Sequence, residues 1–298
     1  MRVLVLGATG MLGHKVFQTL REAYEVWGTV RSSPSGYAGH PVLEPSRLIG
    51  GVDARVFDSV VRALAETRAD VAVNCVGIVK QVSQAKDPIV SLEVNALFPH
   101  RLADLCAACG ARLLHVSTDC VFSGSAGMYS EEDRPDATDL YGRSKLLGEL
   151  DRENCLTLRT SIIGRELAAT TGLVEWFLSQ TGKTVRGYSR AVFSGLPTLI
   201  LSRLLVDVIA RHPALQGVYH VASTPISKYD LLCLLRSRFS VAVEIEPFPE
   251  VVIDRSLNGQ RFSAATGWVA PSWLEMIDAM ANDPTPYASI RAGRRAAT

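Results

Sequence analysis

The chain has 298 residues, of which 47% are hydrophobic and 20% are charged, a composition typical of one large globular domain or of two closely joined ones. Its formal net charge is +1, so no global field recruits nucleic acid or an anionic membrane. No apolar run approaches the roughly 20 residues that a membrane-spanning helix needs, and we expect a soluble, cytoplasmic protein with neither kind of partner.

The cysteines predict neither a disulfide framework nor a metal site. Six of them are scattered along the chain without a secretory signal, so structural disulfides are not expected. Cys106 and Cys109 form a CxxC pair, but a zinc site needs a second pair of ligands at suitable spacing. We expect buried thiols and no metal.

Short apolar strands alternate with amphipathic helices in the first half of the chain. The predicted strands cover residues 3–6, 25–30, 71–75, 111–116 and 156–159, and the predicted helices cover 11–20, 54–66, 87–109 and 141–149. This alternation is typical of a parallel sheet covered by helices on both faces. The predicted fold class is therefore α/β, with a Rossmann-type doubly wound parallel sheet whose ligands bind beyond the carboxyl ends of the strands.

The pattern changes after residue 164. Predicted helices at 173–180 and 199–212 and a strand at 217–222 are followed by a mixed, turn-rich stretch. We expect residues 1–164, with a returning segment near 192–223, to form the Rossmann domain. Residues 165–298 should form mainly a smaller, interleaved substrate-binding lobe, and the tail from about residue 282, rich in proline, alanine and arginine, should be poorly ordered.

A glycine-rich turn links the first strand to the first helix. Its three glycines are spaced GxxGxxG, and glycine provides the backbone angles of this turn and allows close approach to a pyrophosphate at the helix N-terminus. Tight turns also use glycine for steric reasons alone, but the flanking strand and helix favour dinucleotide binding. The expected cofactor contacts in this turn are Gly7, Thr9, Gly10, Met11, Leu12 and Gly13.

The residues after the second strand indicate which dinucleotide binds. An acidic residue there would hydrogen-bond the ribose 2′-hydroxyl of NAD, whereas this chain has Arg31 and Ser32. A guanidinium and a hydroxyl suit a 2′-phosphate, so the predicted cofactor is NADP (NADPH). The alternative interpretation of Arg31 is a solvated loop arginine.

A tyrosine and a lysine form the central catalytic candidate. Tyr141 and Lys145 lie four residues apart in a predicted helix and share one face. A nearby ammonium, joined by an oxidised nicotinamide, would lower the pKa of the phenol from about 10, and the phenol could then protonate a developing alkoxide. Thr118 follows a predicted strand, where its hydroxyl could bind the substrate oxygen or merely end the strand.

Four segments together resemble the dTDP-4-dehydrorhamnose reductase-like family of extended short-chain dehydrogenase/reductases. They are residues 117–122, 141–149, 158–161 and 217–220, and the resemblance covers the chain from residue 3 to about 235. It implies NADPH-dependent reduction of the 4-keto group of a nucleotide-linked 6-deoxysugar. It also implies that Thr118 orients the carbonyl, that Tyr141 is the acid, and that Lys145 supports Tyr141 and binds the nicotinamide ribose. Further cofactor contacts that it implies are Asp53, Ala54, Cys75, Val76, Gly77 and Asn95.

The chain departs from this family in the residues expected to face the sugar. Cys120 stands where the family usually has tyrosine, and Ile162 where it usually has an aromatic residue, so the sugar and its carrier nucleotide stay open. The expected substrate contacts are Lys80, Asp119, Cys120 and Arg190, with Gln81, Lys183 and Arg186 as further candidates. The alternative interpretation of Lys80 and Gln81 is an ordinary loop, and that of Lys183, Arg186 and Arg190 is a set of solvated surface charges.

Two other functions are compatible with the same motifs. A nucleotide-sugar epimerase or dehydratase shares the glycine turn and the Tyr-Lys pair, although Arg31 favours NADP over the NAD that epimerases generally hold. A non-catalytic, NADP-binding regulatory subunit is the second alternative, because the regulatory subunit of methionine adenosyltransferase resembles this family and one scaffold can serve several functions. Assembly into a homodimer is left open.

Overall fold

The computed structural model describes residues 1–80, 83–168 and 170–295. The strands are β1 Arg2–Leu6, β2 Glu25–Thr29, β3 Leu48–Ile49, β4 Val71–Asn74, β5 Arg112–Val116, β6 Cys155–Arg159, β7 Ile162–Ile163, β8 Thr184–Tyr188, β9 Ala191–Phe193, β10 Leu196–Pro197, β11 Gly217–His220, β12 Ile226–Ser227, β13 Glu244–Phe248 and β14 Ile253–Asp254. The helices are α1 Gly13–Leu20, α2 Phe57–Thr67, α3 Pro88–Ser91, α4 Phe98–Ala108, α5 Leu140–Leu147, α6 Leu173–Leu178, α7 Thr198–Arg211, α8 Lys228–Arg238, α9 Gln260–Thr266, α10 Trp273–Ala281 and α11 Tyr287–Arg295.

The central sheet has seven strands in the order β11-β6-β5-β4-β1-β2-β3, and every neighbouring pair is parallel. Successive residues of a strand face opposite sides of a sheet. In β1, Val3 and Val5 join one hydrophobic core, whereas Leu4 and Leu6 join the other. A strand buried on both faces is a nearly continuous apolar run, which is the pattern found in the sequence. The predicted α/β class with a doubly wound sheet is confirmed.

Helices cover both faces of this sheet. On one face α1 packs against α7 and the sheet, with Phe17 and Leu201 fully buried in the shared core. On the other face α2 and α4 contribute Val60 and Leu102 to the second core. Because both faces are covered, ligands reach a sheet of this kind at the strand ends, and the carboxyl ends carry the candidate site.

The predicted helix over residues 87–109 is divided into three parts in the structure. A π-helical turn, Leu92–Leu97, separates α3 from α4. In the predicted helix 54–66, residues 54–56 lie before the start of α2. Asn95 lies in the π-helical turn, and Ala54, before α2, lines a cleft at the carboxyl edge of the sheet.

The second half of the chain builds small sheets beyond that edge. These are the pair β13-β8, the three-stranded sheet β12-β9-β14 and the pair β10-β7. Helices α8 and α10 pack against each other, and α8 also packs on β8 and β13. The division into domains at residue 164 stays a prediction, since β11 returns to the central sheet.

The expectation of a poorly ordered tail from about residue 282 is wrong for the part that the structure describes. Residues 287–295 form α11, and Tyr287 is only 3% exposed. Asp283 forms a buried ion pair with Lys15 of α1, with Nζ and Oδ2 2.6 Å apart. Composition suggested disorder, but these buried contacts fix the segment against the first helix.

Within the described ranges, no helix has the length and apolarity that crossing a membrane requires. The six cysteines are free thiols, and no cluster of three or more His, Cys, Asp or Glu side chains in those ranges is placed to hold a metal ion.

Candidate active site

The glycine turn closes tightly around the ends of β1 and β4, where the strand order reverses direction. Gly7 has φ +81°, in the left-handed region that favours glycine. A Cβ added to Gly7 would come 3.1 Å from Cγ2 of Val76, and one added to Gly13 would come 2.0 Å from the carbonyl oxygen of Gly7. The turn therefore accommodates no side chain at Gly13, and it leaves a bare backbone surface at the N-terminus of α1.

A cleft of about 330 Å³ opens beside this turn. The predicted cofactor contacts that line it are Gly7, Thr9, Gly10, Arg31, Asp53, Ala54, Cys75, Val76 and Gly77. The bare glycine backbone, the helix N-terminus and an exposed guanidinium at one end of the cleft are the features that a pyrophosphate and a ribose phosphate require. The residues present therefore fit a dinucleotide.

Some predicted cofactor contacts lie apart from this cleft. The hydroxyl of Ser32 donates to the hydroxyl of Tyr37 at 3.0 Å. Leu12 is buried in the core beneath α1, and Met11 borders Gly172. Their roles in cofactor binding stay predictions.

Asn95 supports the floor of the cleft from the π-helical turn. Its Oδ1 accepts from the backbone N–H of Ile78 at 2.8 Å, and its Nδ2 donates to the carbonyl of Ile78 at 3.0 Å and to Oγ of Ser144 at 3.2 Å. Asn95 is 1% exposed, so these bonds replace water that it cannot reach. It thus connects the loop after β4 with α5, which carries the Tyr-Lys pair.

The three catalytic candidates meet at the ends of β5 and α5. The hydroxyl of Thr118 donates to Oδ1 of Asp119 at 3.1 Å and accepts from the N–H of Cys120 at 3.1 Å. Lys145 is 5% exposed, and its Nζ donates to the carbonyl of Val116 at 2.8 Å. Asp139 caps α5 by accepting from the N–H of Gly142 at 2.9 Å, which sets the start of the helix that presents Tyr141.

Burial controls the protonation of these groups. It raises the pKa of Tyr141 above its ordinary value of 10, and the Thr118 side chain opposes this rise through a hydrogen bond. Burial also lowers the pKa of Lys145 to about 8, although the Glu149 carboxylate opposes the change. The expected lowering of the Tyr141 pKa is therefore wrong for the protein alone, because burial dominates and Cys120, Asp119 and Asp139 add to the rise.

A buried network holds the strand end that carries Thr118. Oγ of Ser117 donates to Glu149 at 2.6 Å, and Arg159 binds both oxygens of Glu149, at 2.8 and 2.7 Å. Nη1 of Arg159 lies 3.2 Å from Nε2 of His220. Four separate sequence motifs thus converge behind the candidate catalytic residues, and bidentate pairing gives the network a fixed geometry.

The predicted substrate contacts are placed unequally. Nζ of Lys80 lies 5.6 Å from the centroid of the Tyr141 ring and 2.7 Å from a carboxylate oxygen of Asp139. Asp119 and Cys120 directly follow Thr118, and Asp119 is buried. Arg190 is exposed between β8 and β9, and its hydrogen bonding is through its backbone carbonyl, to the N–H of Ile253.

The other cationic candidates lie on an exposed strand pair. Lys183 and Arg186 are exposed beside or within β8, and the guanidinium of Arg186 lies over the ring of Phe248. Gln81 lies outside the described residues. Contact between these side chains and a substrate stays a prediction.

Sequence reasoning missed two cations that the second lobe brings to the site. Lys228, the first residue of α8, and Arg255, which follows β14, both act electrostatically on Asp119. They lie more than 100 residues from Thr118 along the chain, and neither belongs to a recognisable local motif. Nothing short of the tertiary fold could have identified them.

The sheet, the glycine turn and the cleft at the strand ends define a Rossmann-type α/β protein with a candidate dinucleotide site. Residues 1–283 match the family described as RmlD substrate binding domain, and the chain belongs to that family. The predicted membership of the dTDP-4-dehydrorhamnose reductase-like family is thereby confirmed.

Individual relatives show the range of this family. The chain is 30% identical over 234 residues to the probable low-salt glycan biosynthesis reductase Agl14 of Haloferax volcanii, covering 75% of each chain. It is 26% identical over 307 residues to methionine adenosyltransferase 2 subunit beta of Mus musculus, covering 93% of this chain and 89% of the relative. A dTDP-4-dehydrorhamnose reductase structure from Bacillus anthracis, in complex with NADP, has a TM-score of 0.77 at 22% identity and covers 94% of this chain and 98% of its own.

Proposed function

We propose that this protein is an NADPH-dependent reductase of the 4-keto group of a nucleotide-linked 6-deoxysugar, acting in deoxysugar or polysaccharide precursor biosynthesis. The observation that carries the proposal is the position of Thr118, Tyr141 and Lys145 at the carboxyl edge of the sheet, beside a cleft that fits a dinucleotide. The names of the Haloferax volcanii and Bacillus anthracis relatives, a reductase and an NADP-bound reductase, support it.

The residues divide the work of this reaction. Bound NADPH would supply the hydride. The hydroxyl of Thr118 would turn its one proton from Asp119 to the keto oxygen and hold that oxygen by a hydrogen bond that strengthens as the oxygen becomes negative. Tyr141 would give that oxygen a proton. Burial raises the pKa of Tyr141, so the phenol keeps its proton at neutral pH and releases it only to a strong base such as an alkoxide.

Lys145 and Arg31 would position the cofactor. The buried Lys145 is fixed by the carbonyl of Val116, which leaves its remaining N–H donors for the nicotinamide ribose and the Tyr141 side. Arg31 is exposed at the rim of the cleft, where its guanidinium would bind the 2′-phosphate.

The test is a panel of dTDP-, UDP- and GDP-linked 4-keto-6-deoxysugars, screened with the purified protein by loss of NADPH absorbance. We expect stoichiometric NADPH oxidation with at least one member. An epimerase would instead convert its substrate without net consumption of cofactor, and that result would overturn the proposal.

A non-catalytic regulatory subunit is the second candidate, favoured by relatives named methionine adenosyltransferase 2 subunit beta at 24–28% identity. NADPH binding without oxidation by any panel member, together with a rise in methionine adenosyltransferase activity when this protein is added, would establish that function in place of the reductase.

A further inference from the structure

The ammonium of Lys228 has no polar partner in the described part of the chain. Its Nζ lies 3.4 Å from the centroid of the Phe193 ring, and no hydrogen bond or ion pair satisfies its three N–H donors within the described ranges. Phe193 is 2% exposed, so the ring is a fixed surface that holds the ammonium by a cation–π contact.

This position is unfavourable for a cation in three respects. Lys228 is the first residue of an 11-residue helix, whose N-terminal end carries partial positive charge. The side chain is half-buried, with Arg255 as a second cation nearby, and burial lowers the pKa of Lys228 to about 8 while Asp119 opposes the change. A titratable group held in such surroundings is a candidate for function.

The surroundings of Lys228 point to the reacting part of the substrate. Asp119 and Cys120, the two groups that raise its pKa, directly follow Thr118, whose hydroxyl is proposed to hold the keto oxygen. The ammonium of Lys228, from the second lobe, therefore lies within electrostatic range of the strand end that carries Thr118. Because the hydroxyl of Thr118 is proposed to hold the keto oxygen, the nearest part of the substrate would be the hexose, whose hydroxyl and ring oxygens accept hydrogen bonds.

We propose that Lys228 is a substrate-binding residue that donates a hydrogen bond to an oxygen of the hexose, from the side of the second lobe. The inference rests on the proposed function for its substrate class, a nucleotide-linked sugar, and adds to it the residue that recognises the sugar rather than the nucleotide. The Phe193 ring keeps the ammonium in place before the substrate arrives.

Binding of stable sugar nucleotides separates the sugar contribution from that of the nucleotide. Calorimetric titration of the NADP-loaded protein with dTDP-glucose and UDP-glucose measures the affinity for sugar nucleotides. The same titration with dTDP and UDP measures the affinity for the nucleotide alone. We expect Lys228→Met to weaken the sugar nucleotides about ten- to a hundredfold, as loss of a charge-assisted hydrogen bond does, and the free nucleotides less than twofold. Lys228→Arg should restore most of the affinity, and Arg236→Met, an exposed cation of the same helix, should change neither.

Equal weakening of sugar nucleotides and free nucleotides would overturn the proposal in favour of a diphosphate contact, and no weakening of either would overturn it outright. A wild-type protein that binds sugar nucleotides no better than free nucleotides would do the same. If Lys228→Met does not fold, Lys228→Gln carries the same comparison. A wild-type protein that reduces no panel member, yet loses sugar-nucleotide affinity on Lys228→Met, removes the proposed reaction and leaves the role of Lys228 standing.

Discussion

The side chain of Tyr141 provides both a phenol hydroxyl, whose pKa is raised by burial, and a ring that lies against the ammonium of Lys80. Replacing Tyr141 with phenylalanine keeps the ring and removes only the hydroxyl, so it separates the two contributions. We expect turnover to fall by about 10²–10⁴-fold, the range typical of general acid catalysis, with NADPH affinity nearly unchanged. Single-turnover NADPH oxidation and a cofactor titration measure the two quantities.

Wild-type turnover in Tyr141→Phe would exclude the tyrosine as the acid, and loss of folding would mean that the hydroxyl is structural. Thr118→Val is the companion variant, since it deletes the hydroxyl proposed to hold the keto oxygen while keeping the branched shape. It should slow turnover by less than Tyr141→Phe.

Arg31 offers a second test at the level of one side chain. It is exposed at the cleft rim and has no ion pair in the described part of the chain, so its guanidinium is available to a phosphate. We expect Arg31→Ala to weaken NADPH about ten- to a hundredfold, the effect of losing a charge-assisted hydrogen bond, and to change NADH affinity little. Fluorescence titration with both cofactors measures this difference, and an equal loss for the two would remove the 2′-phosphate assignment.

Among the elements, the π-helical turn Leu92–Leu97 is the one that local sequence could not predict. Its residues continue the helical hydrophobic pattern of α3 and α4, and periodicity alone therefore indicated one helix. The wider π-helical turn directs the side chain of Asn95 to Ile78 and Ser144, which are remote in sequence. π-Turns are frequent at functional sites, and this one sits beneath the candidate site.

Asn95→Ala tests whether this turn supports the site. The change leaves the half-buried N–H and carbonyl of Ile78 without their partner, and an unsatisfied buried group costs about 1–3 kcal/mol. We expect the free energy of unfolding to fall by about 2–4 kcal/mol and NADPH binding to weaken, because the loop after β4 loses its anchor. Leu97→Ala, an exposed position on the same turn, is the matched control. Urea unfolding measures the stability of the two variants, and cofactor titration measures their NADPH affinity. Equal values for Asn95→Ala and Leu97→Ala would contradict the supporting role of Asn95.

The sequence predicted elements well where the cause of structure is local. The apolar run of β1, the glycine turn and the Tyr141–Lys145 spacing each follow from contacts within a few residues, and they were all placed correctly. The role of Lys228 could not be predicted, because it depends on the proximity of Asp119 and Phe193, which lie in other parts of the chain. The packing of residues 283–290 could not be predicted either, since their composition says nothing about the partners that bury them.

Across the whole molecule, two long-range connections hold the site. The second lobe delivers Lys228 and Arg255 to the end of β5, so the candidate site is complete only when both halves of the chain are folded. The C-terminal segment binds back onto α1, the helix that the glycine turn begins. There His14 lies 3.0 Å from the hydroxyl of Tyr287 through Nε2 and 2.9 Å from the carbonyl of Gly10 through Nδ1.

The ion pair between Lys15 and Asp283 is the strongest point of this second connection. Both side chains are almost fully buried, at 4% and 6% exposure, and Nζ of Lys15 also donates to Oγ1 of Thr285 at 2.9 Å. Removing one partner of a buried pair leaves the other charge without compensation and typically costs about 3–5 kcal/mol, whereas replacing both with apolar side chains is often neutral or stabilising.

We therefore expect Asp283→Ala to lower the free energy of unfolding by about 3–5 kcal/mol, and the double variant Lys15→Met with Asp283→Leu to recover most of the loss. Asp278→Ala, which breaks a more exposed pair with Arg238, should cost about 1 kcal/mol or less. Chemical denaturation of the variants measures these differences. An Asp283→Ala protein as stable as the wild type would contradict this role of the C-terminal segment. The unpaired ammonium of Lys15 would then have reached water by release of the segment from α1, and that release would have cost no stability.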